Sequence, residues 1–369
     1  MIYLDHGATS FPKPKPVTEA VKRAMECCGN PGRGGHPAAA RAQEVIYDCR
    51  EQAAALFSCG IEQVVLTSGC TQGLNMAISS LFKPGDRVVV SGFEHNAVVR
   101  TLWGHGIEAL AAGRKLFDWQ DTLADFEKQL DQGAAGAVFT HVSNVFGYIL
   151  PIAPMAALCR KKNLPFILDA AQSAGMMEVN FEALGADFIA MPGHKGLLGP
   201  MGTGLLLCGR PGNPFLFGGT GTASRELAMP EFLPERLEAG TPNVPGIAGL
   251  AEGIRLVRKL TPEKVGEKEA ALGKITAEGL RKLGLKVFAG PHQGGTVSFV
   301  PRGDCQELAD RLGEAGIALR AGLHCAPLAH SSAGTLETGT VRISFGWDSD
   351  FSMPQAVFQA LSKGRAGIF

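Results

Sequence analysis

The sequence has no excess of either charge and no long hydrophobic run. Its 35 Lys and Arg residues balance 35 Asp and Glu residues, so the formal net charge is zero. Without a basic block, the charge pattern gives no indication of binding to nucleic acid or to an anionic membrane. No apolar run approaches the roughly 18 residues that a membrane-spanning helix needs. The first residues also lack the basic and then apolar form of a signal peptide, so we expect a cytoplasmic protein.

Common metal and nucleotide motifs are missing as well. The nine cysteines contain no matched pair of C-x-x-C motifs, which argues against a zinc site. No G-x-x-x-x-G-K-[ST] motif occurs, so a P-loop is excluded. The glycines at 199, 202 and 204 do not have the G-x-G-x-x-G spacing of a dinucleotide-binding turn. The sequence also contains no internal repeat and no low-complexity tract.

What remains is the composition of a compact folded protein. Hydrophobic residues make up 45% and charged residues 19% of 369 residues, enough for one large domain and a smaller one. Short apolar strands that end in polar residues predict an open, mostly parallel sheet flanked by helices. From about residue 246 the pattern changes to two long charged helices, followed by mixed strands and helices. We therefore predict an α/β fold with a large domain at 15–245, and a smaller α+β domain formed by 1–14 and 246–369.

One lysine, Lys195, lies in a run rich in glycine and proline between two apolar segments, residues 165–169 and 204–207. A lysine between two buried strands is costly unless its charge is used or removed, and a Schiff base with an aldehyde cofactor removes it. Pyridoxal 5'-phosphate is such a cofactor, and it needs an acid to keep its ring nitrogen protonated. Asp169, at the C-terminal end of the first segment, is placed to be that acid. The competing interpretation is a surface lysine on a hairpin turn.

A small-residue turn at 68–75 joins a short β-branched strand, residues 64–67, to a helix. Such a turn exposes backbone N–H groups at the positive end of the helix dipole, an arrangement that binds phosphate. Thr71 would add a hydroxyl group. A plain N-cap accounts for one Ser or Thr at this point but not for the whole run.

Two further side chains suit reactive chemistry. His95 follows a strand at 87–91, where a flat imidazole can stack on a pyridine ring and carry protons, although a histidine after a strand is more often a cap. Cys325 lies in a segment, 320–328, that its glycine and proline predict to be a loop. A buried cysteine is usually inert packing, whereas a thiol beside cations has a lower pKa and more thiolate. Because His324 and Arg320 precede Cys325, we expect an activated thiol.

These motifs together resemble one protein family. Residues 168–172, Leu-Asp-Ala-Ala-Gln, and then Gly193-His194-Lys195 resemble the class V aminotransferase superfamily, which has the pyridoxal-phosphate transferase fold type I. Within it, the chain is similar to the cysteine desulfurases, and most similar to the SUF-type (group II) and selenocysteine lyase branch. The resemblance runs from residue 3 to residue 344.

The resemblance implies a set of residues that bind pyridoxal 5'-phosphate. They are Cys70, Thr71, His95, Asn144, Asp169, Gln172, His194, Lys195 and Thr241. Within that set, Gln172 would donate to the phenolic oxygen, and His194 would approach the phosphate. Thr241 would reach the phosphate of the other subunit, which implies a homodimer with a shared active site.

The resemblance also implies a substrate and a reaction. Arg342 would hold the substrate carboxylate as a planar fork, with Asn144 beside it, and Arg33 would reach the active site of the partner subunit. With Lys195, His95 and Cys325 as catalytic residues, L-cysteine would become L-alanine while Cys325 takes the sulfur as a persulfide. A sulfur-acceptor protein would then receive the sulfur.

The sequence departs from the family pattern at two places, and other activities stay open. His6 replaces the usual asparagine of the N-terminal arm, and we expect it to be solvent-exposed. Pro192 replaces a serine of the SUF-type pattern, which removes one hydroxyl from the phosphate. The alternatives are a selenocysteine lyase, another class V transaminase or β-lyase, and a non-catalytic sulfur-transfer scaffold. The sequence sets neither the choice between cysteine and selenocysteine nor the downstream pathway.

Overall fold

The computed structural model describes residues 1–32 and 34–363. In chain order its strands are β1 Ile2–Tyr3, β2 Val64–Thr67, β3 Arg87–Ser91, β4 Glu108–Ala112, β5 Gly136–Thr140, β6 Phe166–Asp169, β7 Phe188–Pro192, β8 Gly204–Cys208, β9 Lys286–Phe288, β10 Thr296–Val300, β11 Ile317–Ala318, β12 Arg320–Gly322 and β13 Thr340–Ser344. Its helices are α1 Lys15–Cys27, α2 Pro37–Phe57, α3 Cys70–Leu81, α4 Asn96–Gly104, α5 Trp119–Asp131, α6 Ile152–Lys161, α7 Phe181–Leu184, α8 Val244–Leu260, α9 Pro262–Lys282, α10 Cys305–Glu314, α11 Pro327–Ala333 and α12 Met353–Lys363. Within these ranges, no helix is both long and apolar enough to cross a membrane.

The large sheet has the strand order β2-β8-β7-β6-β5-β3-β4. β8 runs antiparallel to β2 and β7, and the other neighbouring pairs are parallel. Alternate residues belong to two separate core clusters, with Phe139 and Leu168 in one and Val138 and Ile167 in the other. Because both faces are buried, these strands are apolar throughout, as in sheets covered by helices on each side. The predicted α/β fold is confirmed.

A smaller sheet has the order β12-β13-β10-β9, and its neighbouring strands are antiparallel. Helices α9, α10 and α12 contact this part of the chain around a third core cluster. The N-terminal arm joins it, because β1 pairs with β11 and Asp5 forms a bridge to Ser344. The arm therefore connects the start of the chain to strands more than three hundred residues later.

The two long helices predicted after residue 246 are α8 and α9. Helix α8 packs against α1 and α2 near the start of the chain. The domain boundary after residue 245 stays a prediction.

The glycine and proline of the segment at 320–328 predicted a loop, but the segment is not a continuous loop. Residues 320–322 form β12 and pair with β13, and Pro327 begins α11. A proline fits the first turn of a helix because the N–H that it lacks has no intrahelical partner there. Only residues 323–326, around Cys325, lie between the two elements.

Candidate active site

The predicted site residues converge at one edge of the large sheet. Neighbouring strands β3, β5, β6 and β7 are parallel, so their carboxyl ends meet at the same edge. His95 follows β3, Asn144 follows β5, Asp169 ends β6 and Lys195 follows β7. The apolar strands position these polar side chains, each of which lies at the carboxyl end of its strand or shortly after it.

The surroundings of Lys195 disfavour the charged form of its amine. It lines a cavity of about 320 Å³ together with Gln172 and Ser10. Removal from water lowers the pKa of its ammonium group, and the negative charge of nearby Asp169 opposes this only in part. Within the described residues, its Nζ forms no ion pair. A lysine of this kind suits covalent binding of an aldehyde.

Asp169 is a buried acid, and one of its two carboxylate oxygens accepts hydrogen bonds. Its Oδ1 accepts the backbone N–H of Ala171 at 2.9 Å and the thiol of Cys70 at 3.3 Å. Its Oδ2 accepts no hydrogen bond from the residues that the structure describes. That oxygen can therefore receive the N–H of a protonated ring.

The N-terminus of α3 is open to an anion. Its N-cap residue, Gly69, supplies no side-chain hydrogen bond, so the first N–H groups of the helix, at Cys70 and Thr71, are not capped. Thr71 is exposed, and Gln72 accepts the N–H of Ser68 at 2.6 Å. The uncapped helix end, the unpaired amine of Lys195 and the free oxygen of Asp169 match the phosphate, the aldehyde and the ring nitrogen of pyridoxal phosphate, so the residues fit this cofactor.

His95 is both a cap and a site residue. Its Nδ1 accepts the N–H of Ala97 at 3.0 Å at the start of α4, so the proton of the neutral ring is on Nε2. Burial lowers the pKa of the imidazole, with Asp169 opposing the effect. The ring is therefore neutral, as stacking on a pyridine ring requires. The capping role that competed with the catalytic one does not exclude it.

Arg342 is not a free guanidinium group. It is fully buried on β13, where Nη2 pairs with Asp5 Oδ1 at 2.7 Å and Nη1 donates to the carbonyl of Asn144 at 2.9 Å. Gly7 lies against it, since a Cβ at that position would be 3.2 Å from Arg342 Cζ. Nothing in the sequence pattern predicted Asp5 as the partner of Arg342. Binding of a substrate carboxylate by Arg342 stays a prediction.

Cys325 is exposed but its backbone is fixed. Its carbonyl accepts the N–H of Asn96 at 2.7 Å, and the carbonyl of His324 accepts the amide of Asn144 at 2.8 Å. The backbone that carries the thiol is therefore held between the residue after His95 and the polar end of β5.

The expected pair of cations beside Cys325 is not present. Burial lowers the pKa of His324 to about 2, with the charge of Arg342 adding to the effect, so His324 is neutral. Its Nε2 lies 3.2 Å from the carbonyl and the hydroxyl of Thr340. Arg320 pairs with Asp5 at 2.9 Å. His324 therefore does not activate the thiol as a cation.

The N-terminal arm holds the lysine loop. The carbonyl of His194 accepts hydrogen bonds from Thr9, Ser10 and Lys13, and Gln172 donates to the carbonyl of Gly7 at 2.9 Å. The predicted contacts of Gln172 and His194 with the cofactor stay predictions.

The expectation that His6 is exposed is wrong. It is only 7% exposed, and its Nε2 lies 3.6 Å from Asp348. Gly346 makes room for it, since a Cβ there would lie 2.2 Å from the imidazole Nδ1.

Thr241 is not brought to the cavity that Lys195 lines. Thr241 is exposed and lines a different cavity of about 960 Å³, together with Ser68 and Gln72. Arg33 lies outside the described residues. Pro192 is buried at the end of β7, opposite Gly204. In the described part of the chain, no group of three or more His, Cys, Asp or Glu residues could hold a metal ion.

Comparisons with known proteins agree with this geometry. The aminotransferase class-V family model matches residues 2–352. The chain is 34% identical over 364 residues to a probable cysteine desulfurase of Pyrococcus abyssi, which covers 94% of this chain and 89% of that protein. It is 30% identical over 316 residues to a cysteine desulfurase of Serratia proteamaculans, with coverage of 80% and 76%.

The structural comparison gives the same family. The apo structure of a cysteine desulfurase from Thermococcus onnurineus NA1 matches with a TM-score of 0.90 at 31% identity, covering 100% of this chain and 95% of that chain. The cysteine desulfurase CsdA of Escherichia coli matches with a TM-score of 0.85 at 26% identity, covering 100% and 95%. The predicted fold type I and pyridoxal phosphate as cofactor are confirmed, while the SUF-type branch stays a prediction. The chain belongs to the class V aminotransferase family.

Proposed function

We propose that this protein is a pyridoxal-phosphate-dependent cysteine desulfurase, which converts L-cysteine to L-alanine and takes the sulfur on Cys325 as a persulfide. The observation that carries the proposal is the position of Cys325. Cys325 has an exposed thiol, and its backbone is held because its carbonyl accepts the N–H of Asn96, directly after His95, while the preceding carbonyl accepts the side-chain amide of Asn144. A transaminase has no use for such a thiol, whereas a sulfur acceptor needs one that is both near the cofactor and open to solvent.

The residues around the cofactor site have separate roles in accepting and holding protons. When bound, pyridoxal phosphate supplies an aldehyde that takes up the substrate amine and a ring that spreads negative charge away from the α-carbon. Lys195 Nζ would accept the α-proton, because burial lowers the pKa of its ammonium group and so favours the neutral amine. Asp169 would keep the ring nitrogen protonated, and His95, with its proton on Nε2, would stack on the ring.

The sulfur step belongs to Cys325. Its thiolate attacks the substrate sulfur, so that an S–S bond forms as the substrate Cβ–S bond breaks. The electron pair of the broken bond stays with the carbon, which takes up a proton and becomes the methyl group of alanine. The sulfur is oxidised to the persulfide level and the carbon is reduced, so no external oxidant is needed.

The assay measures alanine and sulfide from L-cysteine, with a reductant present to release the persulfide. Wild-type protein should give equal amounts of the two products. Cys325→Ala should lose sulfide release and keep the cofactor absorbance, while Cys27→Ala, which removes another exposed thiol, should keep full activity. Undiminished sulfide release by Cys325→Ala would contradict the proposal. Release of selenide from selenocysteine without a need for Cys325 would support the selenocysteine lyase alternative.

We extend the proposal to a homodimer with a shared active site. Phe217, Leu227 and Phe232 are 78%, 107% and 54% exposed, and exposed apolar side chains clustered along one segment indicate an interaction surface. Thr241 is exposed nearby in sequence, in a cavity that α3 also lines through Gln72. Sedimentation velocity should show a dimer for the wild type and a monomer for Phe217→Asp.

Two further predictions concern the cell. The exposure of Cys325 leaves room for a sulfur-acceptor protein to approach its persulfide. We also retain the prediction of a cytoplasmic location. Fractionation of cells and transfer of labelled sulfur from Cys325 to a bound protein would test them.

A further inference from the structure

The thiol of Cys70 lies against the carboxylate of Asp169. Cys70 is the first residue of α3, and its Sγ is 3.3 Å from Asp169 Oδ1 at the end of β6. Both side chains are buried, with 9% and 2% exposed. Burial and the neighbouring carboxylate raise the pKa of the thiol well above its usual range. The sulfur therefore keeps its proton and acts as a hydrogen-bond donor.

Two donors share one carboxylate oxygen. Oδ1 of Asp169 accepts both the Cys70 thiol and the backbone N–H of Ala171, the latter at 2.9 Å. Oδ2 accepts nothing among the described residues. The backbone N–H of Ala171, just after β6, restrains Oδ1 from one side. The Cys70 thiol, on α3, restrains the same oxygen from a different element. Rotation that would exchange the two oxygens breaks both bonds.

We propose that Cys70 is a positioning residue for the cofactor, whose thiol holds Oδ1 of Asp169 so that Oδ2 receives the protonated ring nitrogen. This inference rests on the proposed function, because it presupposes pyridoxal phosphate. Cys70 also begins the helix whose uncapped N–H groups suit the phosphate. One residue thus links the strand end that holds the ring to the helix end that holds the phosphate.

Loss of the thiol has two physical effects on the cofactor. Asp169 becomes free to rotate, and it also becomes more basic because one of its hydrogen bonds is gone. The first effect weakens retention of the cofactor. The second changes the electron distribution of the ring, which the absorbance spectrum reports.

The test is titration of the apoprotein with pyridoxal phosphate, followed by absorbance. Cys70→Ala should bind the cofactor roughly threefold to tenfold more weakly, the range expected for one modest hydrogen bond. Its absorbance maximum should also shift. Cys70→Ser, which keeps a donor of similar size, should restore both the affinity and the spectrum.

A matched control separates positioning from packing. Cys208→Ala removes a buried thiol from the same core cluster, where Sγ contacts the carbonyl of Leu206 rather than a site residue. It should lower the thermal midpoint and leave cofactor affinity and spectrum unchanged. The inference is overturned if Cys70→Ala binds the cofactor as wild type does, or if Cys70→Ser is as impaired as Cys70→Ala. Failure of the wild type itself to bind pyridoxal phosphate would instead overturn the proposed function.

Discussion

Glu94 ties the ends of two strands together. Its Oε1 accepts the backbone N–H of Ser91 at 3.2 Å, the hydroxyl of Ser91 at 2.5 Å and the N–H of Thr140 at 2.9 Å. The side chain is fully buried, and this burial raises its pKa to about 8, so the carboxyl is neutral at pH 7. Because His95 is the next residue, Glu94 fixes the point from which α4 begins.

Because the Glu94 carboxyl is neutral and accepts these hydrogen bonds, we predict different losses of stability for two substitutions at this position. Glu94→Gln keeps an oxygen acceptor and should change the free energy of unfolding at pH 7 by less than about 1 kcal/mol. Glu94→Ala leaves two buried backbone N–H groups without acceptors and should cost about 2–4 kcal/mol. Urea unfolding of the apoprotein measures both. Equal losses in the two variants would contradict this prediction, because Gln keeps both the volume and an oxygen acceptor, and would show that the carboxyl group itself is required.

At the scale of the element, the N-terminal arm contacts the lysine loop through one backbone carbonyl, that of His194. Four donors from the arm surround the oxygen of His194: the Ser10 N–H, the hydroxyl groups of Thr9 and Ser10, and Lys13 Nζ at 2.8 Å. A carbonyl has two lone pairs, so these donors share it. The arm thereby fixes the residue directly before Lys195.

Lys13 makes this contact depend on pH. Burial lowers its pKa from 10.5 to about 8, so between these values the unfolded chain binds more protons than the folded one. Stability should therefore rise with pH over that window, and below about pH 8 the cost of burying the charge is constant. The difference in free energy of unfolding between the wild type and Lys13→Met should grow in favour of the wild type from pH 8 to pH 10.5. A constant difference across that window would exclude the predicted shift.

At the scale of the whole molecule, the sequence predicts local features better than distant partners. The apolar strands and the polar residues after them indicate the sheet and place Asp169, Asn144 and Lys195 at one edge, because strand direction sets that edge. The neutral state of His324 was not predictable, since it follows from burial against a neighbour, Thr340, that the fold supplies. A spacing pattern carries no information about such burial.

Asp5 is the clearest example of a partner that is distant in the sequence and that the sequence pattern does not predict. It lies 337 residues from Arg342 and accepts Arg320 through its other oxygen, Oδ2, at 3.0 Å. One carboxylate thus serves two arginines on adjacent strands, β12 and β13. The first residues of the chain are thus tied to the small sheet by this carboxylate as well as by Leu4, which lies in the same core cluster as Val341 and Ile343.

Removal of this carboxylate should affect the molecule as a whole. Asp5→Ala leaves Arg342 buried without its partner, and breaking a buried pair in this way costs about 3–5 kcal/mol. Glu307→Ala, which removes the partner of Arg311 in an exposed pair, should cost less than about 1 kcal/mol. Urea unfolding of the two variants beside wild type measures the contrast. If Asp5→Ala is no less stable than Glu307→Ala, then Arg342 is stabilised by its remaining bond to Asn144, and the arm contributes little to the fold.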